Sequence, residues 1–186
     1  MKLTAARSAG GGDCFFDSIR IILASTGHHI SVQKLRQAVA ASLLNEHDSM
    51  ANRVLLEWAR LYSDAVREGN LGLARDYAHM APLLQGRKKV HFPLSLEERT
   101  LVAHQLLKSS YFGDEYALDV MERVLRAHIV VLDGSGTVLR QMRKTRRGDA
   151  VLFLRLTNVH YQPLHVDGKY LWHWSELSQD IQRTIM

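Results

Sequence analysis

Residues 10–18 read Gly10-Gly11-Gly12-Asp13-Cys14-Phe15-Phe16-Asp17-Ser18, so the only cysteine of the chain lies between a run of glycines and an apolar, helix-like segment. At the start of a helix, exposed backbone N–H groups and the positive end of the helix dipole favour the thiolate, which is the nucleophilic form of cysteine. The competing interpretation is an inert buried thiol, because free cysteines are often buried. The stretch makes Cys14 a candidate nucleophile and predicts a helix that begins beside it.

The composition is that of an ordinary globular domain. The 186 residues are 46% apolar and 23% charged, which is enough to bury a core. No internal repeat, low-complexity tract or linker divides them, so we expect a single domain over residues 1–186. One cysteine cannot form an internal disulfide, and we therefore expect a cytoplasmic, reducing location.

Hydropathy and charge argue against two kinds of partner. No segment approaches the ~20 uninterrupted apolar residues of a membrane span, and the N-terminus lacks the apolar core of a signal peptide. The net charge is +5, with basic clusters at 87–89 and 140–147. Because neither cluster is interleaved with aromatic residues that stack on bases, we interpret both as solvated loops and expect no nucleic acid partner.

Apolar periodicity divides the chain into a helical first two-thirds and a strand-rich last third. Ser31 is a predicted N-cap, and Ser95 and Glu98 form a predicted capping box. The predicted helices cover 15–24, 32–43, 54–69, 74–80, 96–107, 115–125 and a last helix from residue 175. The predicted strands cover 129–132, 137–139, 151–156, 158–166 and 170–172. This order favours an α+β domain.

A cysteine nucleophile needs a base, and His160 is the best placed of the ten histidines. The others fall at polar helix ends, in loop-like segments or inside packed elements. His160 falls in a predicted strand late in the chain, and cysteine hydrolases commonly bring a sequence-distant thiol and imidazole together across a helix–sheet interface. The spacings of a zinc site are absent, so we expect no metal and no cofactor.

Three blocks of sequence carry a resemblance to a known family. They are residues 12–18, Tyr111-Phe112-Gly113-Asp114-Glu115-Tyr116-Ala117-Leu118, and Asn158-Val159-His160-Tyr161. Leu35-Arg36 and residues 128–132 add to the pattern. In the order and spacing of these blocks the chain resembles the ovarian-tumour (OTU) family of cysteine proteases, whose members cleave ubiquitin from proteins and from ubiquitin chains.

The resemblance implies a papain-like fold, a small and mostly antiparallel sheet flanked by helices, and a role for each site residue. Cys14 would attack the isopeptide carbonyl after the last glycine of ubiquitin, and His160 would act as base and then as acid. Backbone N–H groups of Gly11, Gly12 and Asp13 would form the oxyanion hole. The implied partners are ubiquitin and polyubiquitin chains, bound by a monomer. A compact domain of this kind suits a bacterial or viral effector delivered into a host cytosol.

The third member of the site departs from the family pattern. The family often has an acid three residues before the cysteine, where this chain has Gly11. The other usual position, two residues after the histidine, is Gln162. Strand alternation would put Asn158, His160 and Gln162 on one face. Gln162 is our first choice to orient the imidazole, Asn158 is its competitor, and Asp167 is more distant.

Aromatic residues near the predicted histidine admit two interpretations. Tyr161, Trp172 and Trp174 fall in or beside the last strands, where core packing is the more common role. Because ubiquitin ends in two glycines, a deubiquitinase needs a narrow substrate channel, and these residues are the candidate walls of that channel.

Two other functions remain open at this stage. The same cysteine–histidine pair could act on a ubiquitin-like modifier or an ordinary peptide. Alternatively, the chain could be a non-catalytic basic interaction module in which Cys14 is incidental. Ubiquitin and ubiquitin-like proteins that carry an electrophile at the C-terminus distinguish these functions.

Overall fold

A computed structural model describes residues 2–45, 47–85, 91–140 and 149–186. These residues form the helices α1 (Cys14–Ser25), α2 (Val32–Leu43), α3 (Ser49–Arg67), α4 (Leu71–Asp76), α5 (Ala81–Leu84), α6 (Leu96–Leu106), α7 (Glu115–Leu125) and α8 (Gln179–Ile185). They also form the strands β1 (Thr4–Ala5), β2 (Ala127–Leu132), β3 (Val138–Arg140), β4 (Ala150–Thr157), β5 (His160–His165) and β6 (Leu171–His173). The predicted α+β class is confirmed. The basic clusters at 87–89 and 141–147 lie outside the described residues.

The chain divides into two compact units, which we describe separately. One unit combines residues 1–35 with 113–186, and the other covers residues 36–112. The first contains the sheet and every residue of the predicted catalytic site. In the described parts of both units, no helix is long and apolar enough to cross a membrane.

The sheet of the first unit is centred on β4. Its strand order is β1-β5-β4-β2-β3, and β6 also pairs with β4. On one side, β4 runs parallel to β2; on the other side it pairs antiparallel with β5 at one end and with β6 at the other. Successive residues of β4 point to opposite faces of the sheet, and residues 151–154 are all buried, so both faces are covered there and the run is continuously apolar. The mostly antiparallel sheet that the sequence predicted is confirmed, with β2 and β4 as its parallel pair.

Helix α1 and strand β5 pack against each other in this unit. The buried side of α1 carries Phe15, Phe16, Ile19 and Ile22. The ring of Phe15 meets the ring of Tyr161 on β5 edge to face, with centroids 5.3 Å apart. This contact fixes the start of α1 beside the start of β5.

The unit of residues 36–112 is helical and contains two buried arginines. The Arg36 guanidinium donates to the carbonyls of Leu106 at 2.9 Å and Tyr111 at 3.1 Å, close to the end of α6. Arg99 donates to the carbonyl of Leu43 at 2.8 Å. Leu106 and Leu43 are the last residues of α6 and α2, and carbonyls at helix ends lack partners within the helix, so the two arginines satisfy groups that burial would otherwise leave unpaired.

Several predicted boundaries are confirmed and others move. Ser31 accepts from the Lys34 N–H at 3.2 Å at the start of α2, and the capping box of α6 is present as predicted. The strand predicted over 158–166 begins only at residue 160, because residues 158 and 159 form a turn. The last helix begins four residues later than predicted, after a 3₁₀ turn at Trp174–Glu176.

Candidate active site

Cys14 is the first residue of α1 and follows a 3₁₀ turn at Gly11–Asp13. Gly11 has φ +67°, a conformation that glycine adopts without the strain a side chain would introduce. The Cys14 N–H donates to the Gly11 carbonyl and closes this turn. The glycine run therefore places the thiol at a helix start, as predicted, and Cys14 as a whole is only 1% exposed.

The Cys14 sulfur lies against the backbone on both sides of His160. The Tyr161 N–H donates to Sγ at 3.4 Å, and Sγ lies 3.8 Å from the Val159 carbonyl. The N–H donor suits a thiolate, whereas the carbonyl suits the protonated thiol, so the two contacts serve the two protonation states of the sulfur. The structure therefore brings the cysteine and the start of β5 together.

His160 owes its place to a two-residue turn between β4 and β5. Asn158 and Val159 have φ of +48° and +62°, and residue 157 pairs with residue 160 across the turn. Two successive positive φ values match the right-handed twist of a hairpin and usually call for Asn-Gly. Asn158 suits the first position, but a β-branched valine in the second is strained, and Val159 is 75% exposed. The turn places His160 at the first position of β5, between the two residues whose backbone contacts the Cys14 sulfur.

Asn158 therefore does not follow the strand alternation that the sequence analysis assumed. It lies in the turn rather than in β5, so the argument that put it on one face with His160 is wrong. A two-residue turn reverses the chain and resets the alternation, and the apolar pattern alone did not reveal where the strand began.

Ser8 lies beside His160, and sequence reasoning missed it. The Ser8 Oγ is 3.3 Å from His160 Nε2 and donates to the Tyr161 carbonyl at 2.5 Å. Strand β1 brings it there by pairing with the outer edge of β5, where the Ala6 N–H donates to the Pro163 carbonyl at 2.9 Å. A two-residue strand has no periodicity to detect, so the sequence contained no usable signal.

Asp17 holds the segment that carries Ser8. One carboxylate oxygen accepts from the Ala9 N–H at 2.7 Å, and the other accepts from Arg20 Nε at 2.6 Å. Asp17 is itself 8% exposed and lies on the first turn of α1. The residue after Ser8 is therefore bonded to the same helix that begins with Cys14.

Gln162 follows His160 by two residues, as the sequence shows, and its amide has a partner on the neighbouring strand. Its Oε1 accepts from Arg155 Nη2 at 2.6 Å, across a register in which these two residues oppose each other. Its predicted role in orienting His160 stays a prediction. Asp167 lies beyond the other end of β5, in the turn with Gly168.

Tyr161 packs behind the site. Its ring contacts Phe15, and burial together with the carboxylates of Asp114 and Glu115 raises the pKa of its phenol. Phe15 in turn lies so close to Gly113 that a Cβ at that glycine would sit 2.3 Å from the ring. Asp114 caps α7 by accepting from the Ala117 N–H at 3.0 Å. Residues 113 and 114 of the second sequence block therefore lie in the packing around Phe15, the residue after Cys14.

The two tryptophans proposed as channel walls lie elsewhere. Trp172 pairs with Val151 near the start of β4, whereas His160 pairs with Thr157 at its end, about 20 Å away along the strand. Trp172 is buried against Phe153, with ring centroids 5.4 Å apart, and Trp174 packs against the same core. The sequence analysis placed them near His160 because they fall in or beside the last strands, but β6 pairs with the other end of β4. The structure does not bring them to Cys14.

Comparisons with known proteins bear on the whole chain. A family model described as OTU-like cysteine protease matches residues 9–181. A solved OTU domain in complex with ubiquitin is similar at a TM-score of 0.59 and 16% identity, over 98% of this chain and 81% of that chain. An OTU deubiquitinase from Wolbachia pipientis wMel is similar at a TM-score of 0.51 and 14% identity, over 97% and 94%. The same deubiquitinase bound to ubiquitin is similar at a TM-score of 0.53 and 14% identity, over 88% of this chain and 95% of that chain. No curated protein sequence matches the chain.

Proposed function

The chain belongs to the OTU-like cysteine protease family, and from this premise we propose that it is a deubiquitinase, which hydrolyses the isopeptide bond after the C-terminal glycine of ubiquitin. The observation that carries the proposal is the bonding of the Cys14 sulfur to the backbone on both sides of His160. Two solved proteins of the same fold are named as complexes with ubiquitin, which favours ubiquitin over other acyl groups.

The first half of the proposed reaction releases the amine. His160 takes the proton of the Cys14 thiol, and Sγ attacks the carbonyl carbon of the last ubiquitin glycine. The carbonyl oxygen becomes an oxyanion, which backbone N–H groups of the Gly11–Asp13 turn would bind. As the intermediate collapses, the carbon–nitrogen bond breaks and His160 gives the proton to the leaving lysine amine. Ubiquitin remains attached to Cys14 as a thioester.

The second half restores the enzyme. His160 removes a proton from water, the resulting hydroxide attacks the thioester carbonyl, and the carbon–sulfur bond breaks. His160 returns its proton to the sulfur, and ubiquitin leaves as a carboxylic acid that loses its own proton to the solvent. Because every step needs a reduced thiol, we place the activity in a reducing cytosol, including that of a host cell, with polyubiquitin chains as substrates.

Electrophilic probes test this function. Ubiquitin with a C-terminal propargylamide should label the wild-type protein once, and Cys14→Ala should remain unlabelled. Probes made from ubiquitin-like modifiers and from a peptide with the same last residues should label it at least tenfold more slowly. A faster reaction with one of these would assign the enzyme to that substrate instead, and equal labelling by all probes would contradict a ubiquitin-specific enzyme.

Cleavage of the eight diubiquitins completes the test. We expect the wild type to cleave at least one linkage, and Cys14→Ala and His160→Ala to cleave none. His104→Ala is the matched control, because His104 is an exposed histidine on α6. Its activity should equal that of the wild type. Loss of cleavage in His104→Ala, or cleavage by His160→Ala at the wild-type rate, would contradict the assigned roles.

A further inference from the structure

We propose that Ser8 is the positioning residue of the active site, which holds His160 so that Nδ1 is the nitrogen that exchanges a proton with Cys14. Sequence reasoning gave the orienting task to Gln162. The catalytic part of this proposal rests on the proposed function. The contact between Ser8 and His160 does not depend on which substrate the protein cleaves.

The hydrogen of the Ser8 hydroxyl has one place to go. A carbonyl oxygen cannot donate, so in the 2.5 Å contact with the Tyr161 carbonyl the serine must be the donor. A hydroxyl has only one hydrogen, and its remaining lone pairs then face His160 Nε2 at 3.3 Å. The imidazole must therefore supply the hydrogen of that second contact from Nε2.

This bond determines the tautomer of the neutral imidazole. With the hydrogen on Nε2, Nδ1 carries the free lone pair and can accept the thiol proton. After that transfer, Nε2 still donates to the same hydroxyl, so the contact is made in both protonation states and becomes charge-assisted in the second. The Tyr161 carbonyl polarises the hydroxyl in the direction that strengthens it as an acceptor.

The backbone around Ser8 is fixed from both sides. The Ala6 N–H is bonded to the Pro163 carbonyl of β5, and the Ala9 N–H is bonded to the buried carboxylate of Asp17 on α1. Ser8 is itself 8% exposed. The two bonds tie it to the strand that carries His160 and to the helix that begins with Cys14, which is the rigidity that a positioning residue requires.

Ser18 provides a matched control. Its hydroxyl donates to the Cys14 carbonyl at 2.7 Å and lies 3.2 Å from the same Tyr161 carbonyl, but it makes no hydrogen bond with His160 among the described residues. Ser8→Ala and Ser18→Ala therefore each remove a buried hydroxyl beside this carbonyl. Only the first removes the acceptor of His160 Nε2.

The first experiment measures alkylation of Cys14 by iodoacetamide between pH 5 and pH 9, and it needs no ubiquitin. In Ser8→Ala we expect the rate at acidic pH to fall about 10-fold, since the imidazolium that accompanies the thiolate loses a charge-assisted bond. The rate at pH 9 should be unchanged, because base then removes the thiol proton without help. Ser18→Ala should keep the wild-type profile. A Ser8→Ala rate that is raised at every pH, or a wild-type profile, would overturn the proposal.

The second experiment measures activity and tautomer. With any substrate that the enzyme cleaves, kcat/KM should fall about 10- to 100-fold in Ser8→Ala and less than about 3-fold in Ser18→Ala. A large loss in Gln162→Ala with none in Ser8→Ala would return the task to Gln162.

Nitrogen NMR of the imidazole determines the tautomer directly. In Cys14→Ala at pH 8, it should show the hydrogen of His160 on Nε2, and a hydrogen on Nδ1 would refute the assignment without relying on any Ser8 variant. If ubiquitin is not the substrate, the alkylation and NMR results still decide the role of Ser8.

Discussion

Gly113 is a residue whose identity is fixed by one contact. A Cβ built at this position would lie 2.3–2.5 Å from three atoms of Phe15, including the Cβ of that residue. Rotation of the Phe15 side chain cannot relieve this overlap, because its Cβ is held by the backbone. Either the backbone at Phe15 or the start of α7 must therefore move. Since Phe15 directly follows Cys14, the proposed nucleophile, we expect a side chain at position 113 to displace Cys14 as well.

Gly113→Ala should lower the free energy of unfolding by about 1–3 kcal/mol, which is the usual cost of overpacking a core. Urea denaturation followed by circular dichroism measures the change. Gly134→Ala is the control, because a Cβ there meets Thr157 only at 3.5 Å and its stability should change by less than about 1 kcal/mol. Equal stability of the two glycine variants would contradict this explanation.

At the scale of elements, the 3₁₀ turn at Ala78–Met80 buries a histidine among aromatic rings. The His79 ring lies 4.4 Å from Trp58 and 5.4 Å from Tyr111, both nearly edge to face. Its Nε2 is buried and finds no hydrogen-bond partner among the described residues. Burial lowers the pKa of His79 to about 4, because the charged form cannot be solvated there.

This histidine should make stability depend on pH. The unfolded chain binds the His79 proton below about pH 6.5, whereas the folded chain does not until about pH 4. Full stability is therefore present above pH 6.5 and is lost as the pH falls toward 4, by on the order of 3 kcal/mol in total. Urea denaturation at pH 7.5, 5.5 and 4.5 measures the free energy of unfolding. Between the highest and lowest pH, this free energy should fall less in His79→Phe than in the wild type, by most of that amount. The exposed His104→Gln should keep the wild-type dependence, and an unchanged slope in His79→Phe would contradict the assignment.

The elements that sequence predicted best are those whose signals are local. The capping box at Ser95 and Glu98, the N-cap at Ser31 and the helix beginning at Cys14 each depend on residues within a few positions, and all are present. The β1 strand was missed, and β5 was begun two residues early. Both errors arise from pairing, since β1 exists only because it lies against β5, and the turn before His160 is defined by the register between β4 and β5.

At the scale of the whole molecule, α2 contributes residues to both compact units, because the boundary falls after its fourth residue. The family match likewise includes residues of both. One unit cannot then unfold without disrupting a helix of the other, so we propose that residues 1–186 behave as a single cooperative domain.

Pulsed thiol labelling during urea denaturation tests that cooperativity. Cys14, the only cysteine, reports on the unit of residues 1–35 and 113–186. Ala103→Cys in the Cys14→Ala background reports on the other unit, from a position that is 4% exposed. In each of the two proteins, the urea concentration at the midpoint of thiol labelling should equal the midpoint measured by circular dichroism. Two separated transitions would contradict a single domain.

By itself, the sequence determined the family, and it predicted Cys14 as the nucleophile and His160 as the base, because these inferences depend on short motifs and on their order along the chain. The surroundings of His160 were decided only by the tertiary structure. Ser8 reaches its Nε2, Gln162 is bonded to Arg155, and Trp172 lies at the far end of β4. The physical reason is that each of these contacts depends on which strands pair and in what register, and a one-residue change of register moves a side chain to the other face of the sheet.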